Sequence, residues 1–215
     1  MDRFVQLGVV AGLESFGAAG VDIEAVDPDR VGILVGAGIG GLETIEETTL
    51  TYAEKGHKRV SPFYIPSSII NMVSGNLSIM TGARGPNLSI VTACTTGTHC
   101  IGMAARLIQY GDCDVMIAGG TEAAVTPTSM TGFGAARALS RRNDAPKQAS
   151  RPWDAGRDGF VLGEGAGVLV LEEMESAKRR GAIILAEFSG FGMSGDAHHI
   201  TQPSTGGEGA SRCME

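Results

Sequence analysis

The sequence holds no apolar run of the ~18 residues that a membrane-spanning helix requires. Its opening residues, Met1 to Gly8, show neither a basic segment nor a cleavage site of the secretory kind. A cytoplasmic protein with no membrane contact is therefore expected. Cysteine is scarce: Cys94, Cys100, Cys113 and Cys213 have neither metal-ligand spacing nor the density of a disulfide scaffold. That pattern excludes a zinc module and fits a reducing compartment. Basic residues are outnumbered, 17 against 24 acidic ones, for a net charge of −7. Without a basic stripe interleaved with aromatics, nucleic acid is not an expected partner. Short repeats and low-complexity segments are absent as well. No cofactor or metal is implied.

Glycine is the residue in excess, at 32 of 215 positions, roughly twice its ordinary share. A hydrophobic fraction of 43% and a charged fraction of 19% describe a globular chain able to bury a full core. Apolar spacing predicts a helix over residues 2–20 and a buried strand over Val31–Val35, followed by an acidic helix over 42–55. A further helix is expected from Ser67 to about Met80, a strand from Leu88 to Ala93, and a helix from Thr95 to Tyr110. Asp114–Ala118 reads as a strand, residues 121–158 as irregular, and Phe160–Leu171 as two strand segments around a glycine-rich bend. A basic helix over Ser176–Arg180 and a last strand over Ile183–Phe188 follow. This alternation predicts an α/β fold with a mostly parallel sheet covered on both faces. Both ends read as cut, the first helix lacking a preceding strand and the last having nothing to pack against.

Cys94 is the most informative position. It lies in Thr92-Ala93-Cys94-Thr95-Thr96-Gly97, where an apolar run gives way to a helix. A thiol at such a corner faces the positive end of the helix, which favours its anion. Small neighbours leave room for a substrate, and sulfur is a strong nucleophile near neutral pH. On these local features alone, Cys94 reads equally as a nucleophile or as a small core residue.

Other motifs are weaker. Gly36, Gly38 and Gly41 match G-x-G-x-x-G after a strand, yet no acidic residue closes a second strand about 20 residues on. A tight turn permitting close packing is the better reading. His99, one turn into the helix after Cys94, reads as structural. His198 and His199 point apart and lack a third ligand. Glu43, Glu46 and Glu47, like Glu172, Glu173 and Glu175, read as solvated faces. Basic islands at Lys55, Lys58 and Arg59, and at Arg137, Arg141 and Arg142, could steer an acidic partner.

Taken together, several stretches resemble the β-ketoacyl-acyl-carrier-protein synthases, the condensing enzymes of the thiolase fold, and in particular their type II (KAS II) branch. They are Val35–Gly41, Ser61–Ser67, Thr92–Gly97, Gly132–Ser140, Ser150–Asp154 and Arg157–Gly167. The resemblance implies a thiolase-like layered αβαβα architecture with a mostly parallel mixed sheet, of which this chain holds most of the N-terminal half. Residues 1–181 would be that half without its first strands, and 182–215 the truncated start of the C-terminal half. It also implies that Cys94 accepts an acyl group from acyl carrier protein as a thioester. A malonyl-loaded carrier is then decarboxylated, and its carbanion attacks that thioester. Ile39 would gate the acyl pocket, Phe133 line it, and Thr201 lie near the site entrance. Lys58, Arg59 and Arg137 would meet the carrier protein, and the full-length protein would form a homodimer.

The family also uses two histidines, a lysine and a C-terminal glycine-rich segment, and none of those motifs occurs in this sequence. The chain thus reads as an internal fragment that condenses nothing alone. Two alternatives stay open. One is a thiolase or polyketide-type condensing enzyme; the other is a non-catalytic chain-length partner subunit, against which the presence of Cys94 counts.

Overall fold

Val31-Gly32-Ile33-Leu34-Val35, five residues with no charge among them, end up inside a sheet with helices on both faces. The computed structural model describes all 215 residues. In chain order the elements are α1 (Arg3–Ala19), β1 (Val31–Gly36), α2 (Leu42–Lys55), α3 (Tyr64–Ser68), α4 (Met72–Thr81) and β2 (Asn87–Leu88). Then come α5 (Thr96–Gln109), β3 (Val115–Glu122), α6 (Pro127–Ala135), β4 (Gly165–Glu172), α7 (Met174–Arg179) and α8 (Glu208–Met214). Two compact units are present, Met1–Ile183 and Ile184–Glu215.

The first unit is built on a four-stranded sheet in the order β2-β1-β3-β4. Strands β2, β1 and β3 are parallel, whereas β4 runs antiparallel to β3. Side chains alternate across β1 and β3 as the pleat requires. Val31, Ile33, Val35, Val115 and Ile117 face Phe4, Val5 and Val9 of α1 and Val73 and Leu77 of α4. Leu34, Met116 and Ala118 face the other way, onto Cys100 and Ala104 of α5. The sheet is thus mixed and mostly parallel, as its sequence pattern predicts.

Helix α1 buries a narrower face than its apolar spacing suggests, for Val10 and Leu13 remain exposed. Gly8 and Gly12 take the contact: a Cβ on Gly8 would lie 2.7 Å from Val73, and one on Gly12 2.6 Å from Leu77. Helix-to-helix approach, not side-chain bulk, closes this face.

Several boundaries differ from expectation. The helix expected over 67–80 is broken at residues 69–71, because the Ser68 carbonyl accepts from Gly41 N instead of continuing the helix. Residues 165–172 form one strand rather than two around a bend, since each of its residues pairs with β3. No strand forms over Ile183–Phe188. Ladders need a partner, and Ile183 and Leu185 are almost fully exposed. Within 121–158, Thr126 caps a helix, α6, its side chain accepting from Ser129 N.

Arg30 grips Asp114 at the entrances of β1 and β3, with Nε and Nη2 each 2.6 Å from a carboxylate oxygen. Those hydrogen bonds hold the Asp114 carboxyl below its usual pKa. A depressed carboxylate stabilises the fold above its unfolded pKa, and that stability is lost as pH falls through the lower folded value. Both side chains are more than a third exposed, so the effect is under about 1 kcal/mol. Acidification below about pH 4 should lower the urea midpoint, and Asp114→Asn should flatten part of that slope. An identical acid slope in both proteins would show the pair to be inert.

Candidate active site

The corner that carries Cys94 is made by a strand that stops early. Only Asn87 and Leu88 pair with β1, whereas Leu88–Ala93 is the strand expected from sequence. Hydroxyl groups end the ladder. Val35 N donates to Ser74 Oγ at 3.1 Å, and the Val35 carbonyl accepts from Ser89 Oγ at 2.6 Å. The backbone groups of Val35 are therefore already satisfied where the next rung would form. The chain then turns through a 3₁₀ step, Ala93–Thr95, into α5.

Ala93 sits in the left-handed region with φ +51, a conformation that side-chain-bearing residues adopt at a cost. It turns the next residue outward, and Cys94 is exposed. Side chains lock the turn from within. Thr92 N donates to Thr96 Oγ1 at 2.9 Å, and Thr92 Oγ1 lies 2.8 Å from His99 Nδ1. His99 therefore serves the corner as a strut, in keeping with its structural reading.

The other thiols are placed differently. Cys100 and Cys113 are buried, and burial pushes Cys100 up and Cys113 up to about 11. Neither is a thiolate near neutral pH. Cys213 lies in α8 of the second unit, half-buried. No cluster of three His, Cys, Asp or Glu side chains suited to a metal ion is assembled anywhere.

The glycine-rich loop beside Cys94 is a packing device. A Cβ on Gly36 would collide with the Ile90 carbonyl and lie 2.6 Å from Thr96; one on Gly41 would lie 2.5 Å from Ser68 Cα. Gly38 brings the loop to the corner itself, its hypothetical Cβ only 3.1 Å from the Ala93 carbonyl. Ile39, next in the loop, keeps 39% of its surface exposed. The structure thus brings Cys94 and the Ile39 loop together.

Phe133 lies on α6, half-buried, edge-to-face with Phe160 at 5.1 Å between ring centroids. Just beyond that helix Arg137 is exposed with φ +57. Lys58 and Arg59 are exposed in the 3₁₀ turn His57–Arg59. Thr201 belongs to the second unit, where its N–H and that of Gln202 both donate to His199 Nδ1 at 3.1 Å. That ring nitrogen is occupied as a loop acceptor.

Three carboxylates missed by the sequence reading tie loops and helix starts together. Glu122, at the end of β3, accepts from Ile39 N and Gly40 N. Glu46 is no solvated face: its Oε1 accepts from Thr126 Oγ1 at 2.6 Å and Thr128 N at 3.0 Å, tying α2 to the start of α6. Those bonds hold its carboxyl below the usual value. Glu164 accepts from Val125 N and pairs with Arg3. Glu172, likewise read as solvated, has a side chain only 7% exposed and bound to Arg180. The usable signal is positional, since an acid that ends an apolar strand beside a glycine-rich loop has backbone N–H groups within reach.

Comparison with known proteins places the chain in a family. The family described as beta-ketoacyl synthase, N-terminal domain, matches residues 1–177. The 3-oxoacyl-[acyl-carrier-protein] synthase 2 of Vibrio harveyi is 60% identical over all 215 residues, which cover 52% of that protein. The synthase 2 of Staphylococcus aureus is 52% identical over the whole chain and 53% of its own length. The chain therefore spans about half the length of the curated relatives it matches. Among solved structures, a beta-ketoacyl synthase from Burkholderia phymatum superposes with TM-score 0.86 at 36% identity, covering 95% of this chain and 50% of that one. A type II PKS ketosynthase, solved in complex with its acyl-carrier protein, superposes with TM-score 0.93 at 31% identity over 98% of this chain and 53% of that one. The fold is thiolase-like, the resemblance runs to the synthase 2 branch, and the chain belongs to the beta-ketoacyl synthase family, with residues 1–177 forming its N-terminal domain.

Proposed function

We propose that the full-length protein carrying this chain is a 3-oxoacyl-[acyl-carrier-protein] synthase of fatty-acid elongation, with Cys94 as its nucleophile. The observation that carries the reading is an exposed cysteine on a left-handed turn at the start of a helix, flanked by a glycine-rich loop. In the first step the Cys94 sulfur attacks the acyl-carrier thioester, its own proton is lost, and the carrier thiol leaves. In the second, a malonyl-loaded carrier loses carbon dioxide. The electron pair of the broken C–C bond attacks the Cys94 thioester and expels the sulfur, giving a 3-oxoacyl carrier longer by two carbons. Ile39 gates the acyl pocket and Phe133 lines it. The protein works as a homodimer.

Lys58, Arg59 and Arg137 receive the acidic carrier protein. Their exposure on a chain of net charge −7 supports this role, since basic islands on an acidic surface steer acidic partners. The ketosynthase neighbour solved with its carrier protein supports the same partner class.

Mass spectrometry of the full-length protein after incubation with an acyl-loaded carrier tests the reading. A thioester adduct should map to Cys94, and an adduct elsewhere would overturn it. Arg137→Glu should lower kcat/KM for the carrier-borne donor about tenfold while leaving a coenzyme A donor nearly unaffected. A polyketide-type reading draws on the 31%-identical neighbour, but the 60% identity to a synthase 2 outweighs it.

A further inference from the structure

The glycine-rich loop is held from two sides, and the holding groups are distinct from any residue the family resemblance names. On one side Glu122 Oε2 accepts from Ile39 N at 2.8 Å and Oε1 from Gly40 N at 3.1 Å. Two successive N–H groups thus converge on one carboxylate, and Gly40, which carries the second of them with φ +83, takes a left-handed turn that glycine adopts without strain. On the other side Gly41 N donates to the Ser68 carbonyl at 3.1 Å, and a Cβ on Gly40 would lie 2.6 Å from Ile70. Between these grips the backbone is fixed, yet the Ile39 side chain stays 39% exposed.

Strand register explains why Glu122 reaches this loop. Gly36, the last residue of β1, is the partner of Gly120 in β3. Two residues past Gly120, Glu122 shares its face of the sheet, the face on which a Cβ at Gly120 would meet Gly97 of α5 at 2.9 Å. The carboxylate therefore stands where the loop leaves β1 and on the side of the Cys94 corner. Gly38 fills the space between them: its hypothetical Cβ would lie 2.9 Å from Glu122 Oε2 and 3.1 Å from the Ala93 carbonyl. Carboxylate, loop and nucleophile corner stand in series.

We propose that Glu122 is a positioning residue for acyl-chain selection, fixing the backbone of the Ile39 loop against the Cys94 corner so that only the Ile39 side chain moves. This rests on the reading of Ile39 as the pocket gate. A carboxylate takes both N–H groups at once; a glutamine offers one acceptor oxygen, and its amide nitrogen would face an N–H as donor against donor. Short acyl groups stop before the gate, whereas long ones need it placed correctly. Loss of Glu122 should therefore act on chain length, not on the reactivity of the thiol.

The test measures the rate of Cys94 acylation in the full-length protein from butyryl- and lauroyl-loaded carrier, beside alkylation of Cys94 by iodoacetamide. Glu122→Gln should lower the lauroyl-to-butyryl ratio about tenfold, as expected for losing a hydrogen bond to a charged group, with iodoacetamide labelling unchanged. Gly38→Ala keeps the charge but wedges a methyl between carboxylate and corner, and should skew the ratio in the same direction. A ratio unmoved in both variants overturns the proposal. So does a parallel fall of both acylations and of labelling, which would make Glu122 merely structural. Ile39→Ala separates the two levels. If it shifts the ratio while Glu122→Gln does not, the role of Glu122 fails alone; if it too leaves the ratio untouched, the gate reading fails first.

Discussion

Cys94→Ala should abolish the acyl adduct and lower 3-oxoacyl formation by the full-length protein about 10⁴-fold or more, the scale of losing a nucleophile outright. Alanine keeps the small volume of the site and removes only the sulfur. The loss should be this complete because neither of the other two thiols in residues 1–183 can stand in. Cys100 is fully buried against Leu34, and Cys113 is buried with its thiol raised to about 11. The fold should survive, since an exposed side chain contributes little to packing. An unchanged melting temperature together with lost acylation is thus the expected pair of results. Acyl transfer persisting in Cys94→Ala would remove the basis of the functional assignment.

The second large effect concerns stability. Gly36 ends β1 directly behind the nucleophile corner, where a Cβ would collide with the Ile90 carbonyl and lie 2.6 Å from Thr96 and 3.0 Å from the Cys100 sulfur. Two of these neighbours cannot yield cheaply. Ile90 is backbone, and Thr96 Oγ1 accepts the bond from Thr92 N that closes the corner. Gly36→Ala is therefore expected to destabilise by about 3 kcal/mol, the upper range for overpacking, or a drop in Tm of about 8 °C at this chain length. Cys94 acylation should fall with it, because relief of the clash moves the start of α5. Thermal melts monitored by circular dichroism check the first part. A melting temperature within about 1 °C of the parent would show that the corner has slack.

Much of this was legible in the sequence, for a physical reason. Val31–Val35 and Leu42–Lys55 are long enough and patterned clearly enough for burial and periodicity to decide them. What failed were places where a group distant in sequence captures a backbone hydrogen-bonding group. Ser74 and Ser89 take the hydrogen-bonding groups of Val35 and cut the strand before Cys94, while Gly41 takes the carbonyl of Ser68 and splits a helix. Those bonds span from 27 to 54 residues and leave no periodic trace. The carboxylates show the same limit. Glu46 and Glu172 carry ordinary charged-face spacing, and only the approach of Thr126 and of Arg180 turns them into ties. Cys94 was readable because its corner is local, with turn, helix start and small neighbours all falling within Thr92–Gly97.

The left-handed Ala93 has a last implication for how such a corner can be built. Glycine would relax that turn at once, releasing about 1–2 kcal/mol of backbone strain. It would also widen the range of conformations open to the residue that presents the sulfur. A methyl group in an uncomfortable setting narrows that range, so the aim of the reactive atom is kept by discomfort in its neighbour. Precision here is held in the main chain, one residue ahead of the chemistry.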